Sequence, residues 1–390
     1  MNAAERKNCN PQSASGNRKM AGLYIHIPFC RTKCPYCTFY SETNLSFISD
    51  FLKALFQEME MARNQFNQVD TVYLGGGTPS VLLPHQIQAI LEKIRQNFHL
   101  VADTEITLEA NPADLSLAYL QSLRHSGVNR LNLGIQSFDS ETLSFLGRRH
   151  SLDQALSSIL TSREAGFDNL GIDLIYGVPG QEMESWLATL ARAVDFAPEH
   201  ISCYQLTVEA NTPLAIQQQK GECTLPPEDL QYDFFMKTSA SLEEAGYIHY
   251  EVSNFARGME YASRHNQKYW NHTPYLGLGP SAHSFRGNRR WWNHRLLDHY
   301  ITNLSTGNAP IQSEETLTLE QLGFEAFFLA LRTKSGLHLK DFSEKYQQDL
   351  LAAKAPMLAN LLDEGYMVIR DGMLLPTRSG LAIADRLALI

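Results

Sequence analysis

Three cysteines, Cys30, Cys34 and Cys37, lie close together behind the short apolar run 23–27. Their C-x3-C-x2-C spacing allows three thiolates to hold three corners of a 4Fe–4S cluster and to leave the fourth iron open. An electron-transfer cluster normally has a fourth cysteine, and a structural zinc site normally has four ligands. The spacing therefore predicts a cluster with one iron that is free to bind a small molecule.

Two other interpretations of these cysteines stay open. Zinc could be bound by the three thiolates together with His26 or a more distant histidine, since thiolates suit both zinc and iron–sulfur clusters. A disulfide framework is disfavoured, because six cysteines in 390 residues are few and no apolar signal-peptide core precedes Cys9. Only the triplet has compact ligand spacing, so we expect Cys9, Cys203 and Cys223 to be dispensable for the cluster.

The composition limits the kinds of partner that the chain can have. It is 44% hydrophobic and 19% charged, which is typical of a globular protein, and its 390 residues predict one large domain and one smaller one. Its formal net charge of -9 argues against general affinity for nucleic acid or anionic membranes. No apolar run approaches the length of a membrane-spanning helix. The sequence thus predicts a cytoplasmic protein without nucleic-acid binding or membrane insertion.

Changes in composition divide the chain into four segments: 1–19, 20–250, 251–310 and 311–390. The first segment is polar and predicts a disordered tail, with translation starting at either Met1 or Met20. The third is aromatic and loop-like, and it connects the flanking domains. The fourth predicts a small, mainly helical, winged-helix-like domain, in which Asp371 and Gly372 form a hairpin turn. Without a basic surface, this domain is expected to pack as a lid rather than to bind DNA.

The second segment alternates short apolar runs with helical patterns, as parallel strands joined by crossover helices do. The candidate strands are 23–27, 71–75, 104–109, 131–135, 170–175 and 200–206. One intervening helix shows clear end signals, because Ser151 and Gln154 form a capping-box pattern and Gly166 follows its end. In parallel barrels, chemistry gathers where strands end and helices begin. The cysteines, a glycine run and several polar residues all follow strands in this way.

Two motifs in combination carry a resemblance to a known family. The cysteine triplet follows a Y-I-H-I-P-F run, and G-G-G-T-P follows the second strand at positions 75–79. Together they resemble the radical S-adenosylmethionine (SAM) superfamily. Within it the chain is similar to the oxygen-independent coproporphyrinogen oxidase group, and most similar to the HemW family of haem chaperones, from about Tyr24 onward. The resemblance implies an α/β fold with an open three-quarter barrel of six β/α units, and a 4Fe–4S cluster, SAM and haem as cofactors.

The resemblance also implies which residues contact SAM. Gly76, Gly77 and Thr78 match the positions that line its methionine end, where the backbone must come close and N–H groups can meet a carboxylate. A bulky side chain at these glycines is therefore expected to exclude SAM and to leave the cluster in place. The other matching positions are Tyr24 and Tyr36 beside the cluster, and Glu109, Gln136, Arg148 and Asp173 around the SAM carboxylate, amine and ribose.

Each of these positions also has a structural interpretation. The glycine run alone is a tight turn, Glu109 could cap the turn at Asn111, and Arg148 could be a solvated surface residue. Their common placement at strand ends favours the functional interpretation. The resemblance further implies that a reduced cluster splits SAM into a deoxyadenosyl radical, which is chemistry of the cofactor pair. That reaction would need an electron donor, and the sequence leaves open whether SAM is cleaved or only bound.

A second motif, H-N-Q-K-Y-W at positions 265–270, resembles the signature that is associated with haem binding in the chaperone branch. A neutral imidazole can bind iron, and tyrosine and tryptophan can cover a porphyrin face. We therefore expect His265 to bind haem, with His272, His283 and His294 as further candidates. The alternative is an aromatic cluster that packs the barrel against the C-terminal domain.

Two departures separate the chain from the coproporphyrinogen oxidases. The oxidases have another cysteine two residues after the third, where this chain has Phe39. They also have a longer segment before the position that corresponds to Tyr24. We therefore predict a chaperone that transfers haem to an acceptor protein. The rivals are an oxygen-independent coproporphyrinogen III oxidase, which forms protoporphyrinogen IX by radical decarboxylation, and a zinc-bound interaction module. The identity of the acceptor and a homodimeric state are left open.

Overall fold

The centre of the protein is a parallel β-sheet whose strands alternate with helices. The structure is a computed structural model that describes residues 20–63, 65–66 and 68–384; the predicted tail 1–19 lies outside them. The central strands are Ala21–Ile27 (β1), Val69–Gly76 (β2), Leu100–Ala110 (β3), Arg130–Gln136 (β4), Leu170–Tyr176 (β5) and His200–Gln205 (β6). Each pairs in parallel with the next, in chain order. All six overlap the predicted strands, and the partial β/α barrel is confirmed.

Helices cover this sheet and end as the sequence signals indicated. They are Ile48–Ala62 (α1), Pro84–Asn97 (α2), Leu117–Ser126 (α3), Ser140–Phe145 (α4), Leu152–Glu164 (α5), Met183–Asp195 (α6), Pro213–Gln219 (α7) and Glu228–Glu244 (α8). The capping box before α5 is formed, with the Ser151 N–H donating to Gln154 Oε1 at 2.9 Å. Helix α3 ends at Gly127, whose φ of 102° is readily adopted by glycine. Because the sheet is covered, its strands are largely buried, and apolar side chains form most of the core.

The connecting region is more regular than the loop-like sequence suggested. It contains Ile248–Glu251 (β7), Asn254–Ala256 (β8), Arg264–Trp270 (α9), Tyr275–Leu278 (β9), His283–Arg286 (β10), Arg289–Asn293 (β11), Leu297–Ser305 (α10) and Ile311–Thr316 (β12). Strand β9 pairs in parallel with β1, and β10, β11 and β12 continue the sheet in antiparallel order. These strands are short, so their pairing at the two edges of the central sheet, next to β1 and β6, decides their structure more than local sequence does.

The C-terminal domain has its own small hydrophobic core. Its elements are Leu319–Ala330 (α11), Leu337–His338 (β13), Leu339–Tyr346 (α12), Leu350–Ala353 (α13), Ala355–Asp363 (α14), Met367–Arg370 (β14), Met373–Pro376 (β15) and Arg378–Ala382 (α15). The hairpin between β14 and β15 turns at Asp371 and Gly372, which both have positive φ as a type I′ turn requires. Glu243 of α8 pairs with Lys334 and Arg378, which fixes the domain to the barrel.

No helix in the described part of the chain combines the length and apolar character needed to cross a bilayer.

Candidate cluster and cofactor site

The three cysteines lie in the loop that follows β1, and backbone hydrogen bonds close this loop at its base. The Cys30 N–H donates to the Glu42 carbonyl at 3.0 Å, and the Glu42 N–H donates to the Pro28 carbonyl at 2.7 Å. Within the loop, the Cys37 N–H donates to the Cys34 carbonyl at 3.2 Å. The short spacing of the motif is thus folded into a turn, and all three side chains line one cavity.

Asp114 ties the loop of residues 28–42 that carries the three cysteines, here called the cluster loop, to the rest of the barrel. No sequence motif identified Asp114. Its carboxylate accepts from Arg31 of the loop at 3.4 Å, from Arg149 at 2.8 Å and from the Ser80 hydroxyl at 2.9 Å. The carboxylate is buried, with a side chain 5% exposed. The signal that would have revealed it is its position directly behind β3. Asp114 is therefore a positioning residue for the loop rather than a ligand.

A cavity of about 450 Å³ opens beside the cysteines at the carboxyl ends of the central strands. We call it the first cavity, and its volume is in the range of small-molecule sites. It collects every predicted site residue except Tyr24 and His265: Cys30, Cys34, Tyr36, Cys37, Gly76, Gly77, Thr78, Glu109, Gln136, Arg148 and Asp173. Residues from β6 that the sequence analysis did not single out, Tyr204 and Gln205, complete the wall.

Four buried polar atoms of the first cavity have no hydrogen-bond partner of normal geometry among the described residues: Ser41 Oγ, Gln136 Oε1, Arg148 Nε and Asp173 Oδ1. A buried polar group without a partner costs about 1–3 kcal/mol, so folded proteins rarely retain one without a reason. Gln136 also has a φ of 68°, a left-handed conformation that costs energy and is frequent at functional sites. The orphaned atoms comprise both donors and acceptors, which fits a polar ligand such as SAM.

Arg148 places a positive charge beside the cysteines. Its Nη1 lies 3.5 Å from Cys34 Sγ, and its Nη2 donates to the Gly134 carbonyl at 2.8 Å. Burial alone would lower the pKa of Arg148, but Tyr36 and Cys34 outweigh it and raise that pKa. Gly134 leaves room for this side chain, since a Cβ there would be 3.1 Å from Arg148 Nη2. The solvated-surface interpretation of Arg148 is therefore wrong.

Two acidic side chains face the same cavity. Burial raises the pKa of Glu109 to about 7, although a hydrogen bond from the Tyr73 hydroxyl at 2.7 Å opposes the shift. Burial also raises the pKa of Asp173, against hydrogen bonds from Ser202 and from Asn132 Nδ2, the latter at 2.6 Å. Near neutral pH, Glu109 can therefore either hold a proton or accept a hydrogen bond from a ligand ammonium group.

The backbone N–H groups of the glycine run are not free, contrary to the expectation from sequence. The Gly77 N–H donates to the Ile27 carbonyl at 2.9 Å, and the Thr78 N–H donates to the Phe29 carbonyl at 2.7 Å. The Gly76 N–H bonds the Glu109 carboxylate. These donors already hold the run against β1 and the start of the cluster loop, so they are not available to a ligand carboxylate.

The glycines are needed because the chain packs closely at this point. A Cβ on Gly77 would lie 2.6 Å from the Phe29 carbonyl oxygen, and a Cβ on Gly76, whose φ is 103°, would lie 2.5 Å from the His26 ring. Substitution would thus displace the backbone that leads into Cys30. The expectation that a bulky residue at Gly77 spares the cluster is not supported by this geometry.

Tyr24 lies outside the first cavity and lines a neighbouring second cavity of about 340 Å³. His26 Nε2 lies 2.9 Å from the Tyr40 carbonyl and must donate to it, so His26 Nδ1 accepts from the Tyr24 hydroxyl at 3.1 Å. Burial lowers the pKa of His26 to about 4, which keeps the ring neutral. Tyr24 therefore supports the floor of the second cavity, and the structure does not place it beside the cysteines.

His265 is 1% exposed, and both of its ring nitrogens are engaged. Its Nδ1 is 2.9 Å from Thr71 Oγ1, and its Nε2 is 2.9 Å from the Tyr269 hydroxyl. Burial lowers the pKa of His265 to about 3. Its backbone N–H donates to Glu105 Oε1 at 3.1 Å. In this arrangement neither nitrogen is free for haem iron, so the geometry favours the packing interpretation of the motif.

The remaining histidines and cysteines lie in different surroundings. His272 faces Glu325 of the C-terminal domain at 3.4 Å, and the His294 ring lies beside the His299 ring. His283 lines the second cavity. Cys203 is buried in β6, and neither it nor Cys223 lines the first cavity, whereas Cys9 is outside the described residues.

The zinc interpretation requires several ligands that meet at one ion. Over the described ranges, no group of three or more His, Cys, Asp or Glu side chains is placed to hold a single metal ion. The thiolates of a 4Fe–4S cluster bind at its separate corners and need not converge on one point.

A partial parallel barrel with a three-cysteine loop behind its first strand and a glycine run behind its second defines a radical SAM protein. Comparison with protein families agrees, because the Radical SAM superfamily matches residues 24–193. The HemN C-terminal domain matches residues 317–383.

Comparison with individual proteins narrows the assignment. The chain is 35% identical to the "Heme chaperone HemW" of Bacillus subtilis (strain 168), covering 93% of this chain and 96% of that protein. It is 33% identical to "Radical S-adenosyl methionine domain-containing protein 1, mitochondrial" of Bos taurus. That match covers 97% of this chain and 89% of the bovine protein. Among solved structures, coproporphyrinogen III oxidase (HemN) of Escherichia coli superimposes with a TM-score of 0.83 at 26% identity. The superposition covers 96% of this chain and 91% of that enzyme. The chain belongs to the HemW family of radical SAM proteins.

Proposed function

We propose that this protein is a haem chaperone that binds a 4Fe–4S cluster, SAM and haem and transfers the haem to an acceptor protein. The observation that carries the proposal is its similarity to HemW of Bacillus subtilis along nearly the full length of both chains. The convergence of the three cysteines and the orphaned polar atoms in the first cavity supports the cofactor part of the proposal.

Within this proposal, Cys30, Cys34 and Cys37 hold the cluster, and the cluster supplies an open iron and one-electron chemistry when SAM is bound. The positive charge of Arg148 offsets the negative charge of the thiolates. Asp173 offers an unpaired oxygen that can accept from ribose hydroxyls. Glu109 can accept from the SAM amine, since Tyr73 holds its carboxylate in place.

Oxygen-independent oxidation of coproporphyrinogen III is the second candidate function. The close superposition on HemN over almost the whole chain favours it. Phe39 argues against it, because this position replaces the additional cysteine of those oxidases. The Phe39 side chain is 64% exposed and lines both cavities, so it presents a phenyl ring where a thiol would otherwise stand.

One preparation can separate these functions. The protein is reconstituted anaerobically with iron and sulfide, and the same sample is assayed for haem binding, for haem transfer to an apo-acceptor, and for conversion of coproporphyrinogen III with SAM and a reductant. We expect haem binding and transfer without conversion. Anaerobic formation of protoporphyrinogen IX would favour the oxidase, and zinc in place of iron and acid-labile sulfide would favour the interaction module.

A further inference from the structure

The second cavity lies between β1, the cluster loop and the strand pair β9–β10. Thr38 and Phe39 of the cluster loop line both this cavity and the first one. A ligand in the second cavity would therefore be separated from the cofactor site by one short stretch of loop. Of the residues predicted above to contact SAM, only Tyr24 lines this space.

The walls of the second cavity are largely aromatic. Tyr24, Tyr40, Tyr269 and Tyr275 all line it. The rings of Tyr269 and Tyr275 pack edge to face with centroids 4.6 Å apart, which holds both in position. Rigid aromatic walls suit a flat ligand with extended apolar faces. A small polar metabolite would gain little from such surroundings.

Two histidines line this cavity, and they differ in the state of their ring nitrogens. Both nitrogens of His26 are bonded within the protein, as described above. His283 is exposed at the cavity, stacks on Trp292 with centroids 5.7 Å apart, and has no ring hydrogen bond to any described residue. Partial burial and, to a lesser extent, Arg290 lower the pKa of His283, so its imidazole is neutral at physiological pH. A neutral imidazole with a free nitrogen is the form that binds a metal.

The cavity also carries one arginine whose charge is not paired. The neighbouring Arg289 and Arg290 are ion-paired with Glu314 and Glu315 of the adjacent strand. The guanidinium of Arg295, by contrast, makes no ion pair or hydrogen bond with the residues that the structure describes, and it faces the cavity. A guanidinium binds carboxylates in a two-pronged geometry, so this position suits an acidic group on the ligand.

We propose that the second cavity is the haem site of this protein, with His283 as an iron ligand and Arg295 as the partner of a haem propionate. This inference rests on the proposed function, and it assigns the ligand role to His283 in place of His265. The site combines aromatic walls, a metal-ligating side chain and a cation, which are the groups that a flat, iron-bearing dicarboxylate requires.

The ligand assignment is tested by haem titration of the full chain in four forms: wild type, His283→Ala, His265→Ala and His125→Ala. His125 is an exposed histidine on α3 and serves as the matched control. We expect His283→Ala alone to shift the Soret band and to weaken haem binding by about tenfold or more, since an axial bond is lost. Added imidazole should restore the wild-type spectrum of His283→Ala.

The possible failures are distinguishable. If the wild type binds no haem, the proposed function fails and this inference fails with it. If the wild type binds haem and His283→Ala keeps the same Soret band and affinity, only the assignment of His283 is overturned. A Soret shift in folded His265→Ala, with His283→Ala unchanged, would return the role to His265.

The propionate contact has its own test. Arg295→Gln should weaken haem binding by about tenfold, the value of one charge-assisted contact, but should not weaken binding of haem dimethyl ester, which lacks the carboxylates. Arg257→Gln, at an exposed arginine beyond β8, is the control. Equal loss for haem and its ester, or no loss for haem, would overturn the role of Arg295.

Discussion

The first cavity and the H-N-Q-K-Y-W motif contain similar kinds of residues, but their polar atoms are satisfied to different degrees. In the first cavity, buried atoms of Gln136, Arg148 and Asp173 lack partners. In the motif, both ring nitrogens of His265 and its backbone N–H are bonded within the protein. The indole Nε1 of Trp270 is the exception, since it has no acceptor among the described residues.

We infer that this difference separates residues that bind a ligand from residues that hold the fold together. A buried polar group without a partner lowers stability, so its retention indicates that something else bonds it in the working protein. A fully bonded buried histidine already contributes its hydrogen bonds to stability. Residue type alone does not distinguish these cases, because His265 and His283 have the same chemistry and opposite surroundings.

The largest expected effect is the loss of the cluster in Cys34→Ser. A serine hydroxyl does not replace a thiolate ligand, so most of the iron should be lost. Iron, acid-labile sulfide and the visible charge-transfer band measure the result, and circular dichroism checks the fold. Cys223→Ser, outside the first cavity, should retain full cluster content. Full iron content in Cys34→Ser would contradict the cluster assignment.

Gly77→Val should also lose the cluster, although it removes no ligand. The added side chain would meet the Phe29 and Ile27 carbonyl oxygens and displace the start of the cluster loop. Gly166→Ala, where a Cβ meets nothing within 4 Å, should cost only about 1–2 kcal/mol of backbone strain and keep its iron. A Gly77→Val protein with normal iron and no SAM binding would instead support the ligand-contact role of the glycine.

Asp173→Ala should weaken SAM binding and leave the cluster in place. A hydrogen bond to a charged group is worth about 1.5–3 kcal/mol, so the dissociation constant should rise about ten- to hundredfold. Calorimetry on the reconstituted protein measures it, with Asp168→Ala, an exposed aspartate before β5, as the control. Unchanged affinity would mean that Asp173 does not contact SAM and that an unpartnered buried oxygen does not mark the SAM site.

His265→Ala should lower stability rather than change the cofactors. Thr71 and Tyr269 would lose their partner inside the protein, at about 1–3 kcal/mol for the groups left unsatisfied. Thermal unfolding should show a melting temperature several degrees lower than that of His125→Ala, with iron content and SAM affinity preserved. Wild-type stability in His265→Ala would mean that the motif is not a packing element.

The smallest effect concerns pH. The pKa of Glu109 is raised by burial to about 7 from an ordinary value of 4.5, so its contribution to stability is greatest below pH 4.5 and is lost as the pH rises to about 7. Glu109→Gln should flatten this fall of the melting temperature. Burial also raises the pKa values of Glu58 and Glu251. These two residues should therefore keep part of the pH dependence of the melting temperature in Glu109→Gln. Exposed Glu92→Gln is the control. If the melting temperature of Glu109→Gln fell with pH as steeply as that of the wild type, the raised pKa of Glu109 would be contradicted.

Sequence motifs predicted the first cavity well because its residues follow consecutive parallel strands. Cys30, Gly77, Glu109 and Gln136 lie just at or after the ends of four neighbouring strands, and strand order alone brings them to one edge. The assignment of Tyr24 had no such support. It lies within β1 rather than at its end, and which cavity its side chain faces depends on His26 and on the strand β9 that pairs with β1.

Local periodicity, turn residues and short motifs were enough to predict the six β/α units, the cluster loop, the hairpin at Asp371 and the family. Which polar groups are satisfied depends instead on packing between distant segments. The partners of His265 lie at Thr71, almost two hundred positions earlier, and at Tyr269 one helical turn away. The second cavity likewise forms only when β9 and β10 extend the sheet beside β1. Hydrogen bonds and cavities between distant segments depend on packing, which no local pattern records.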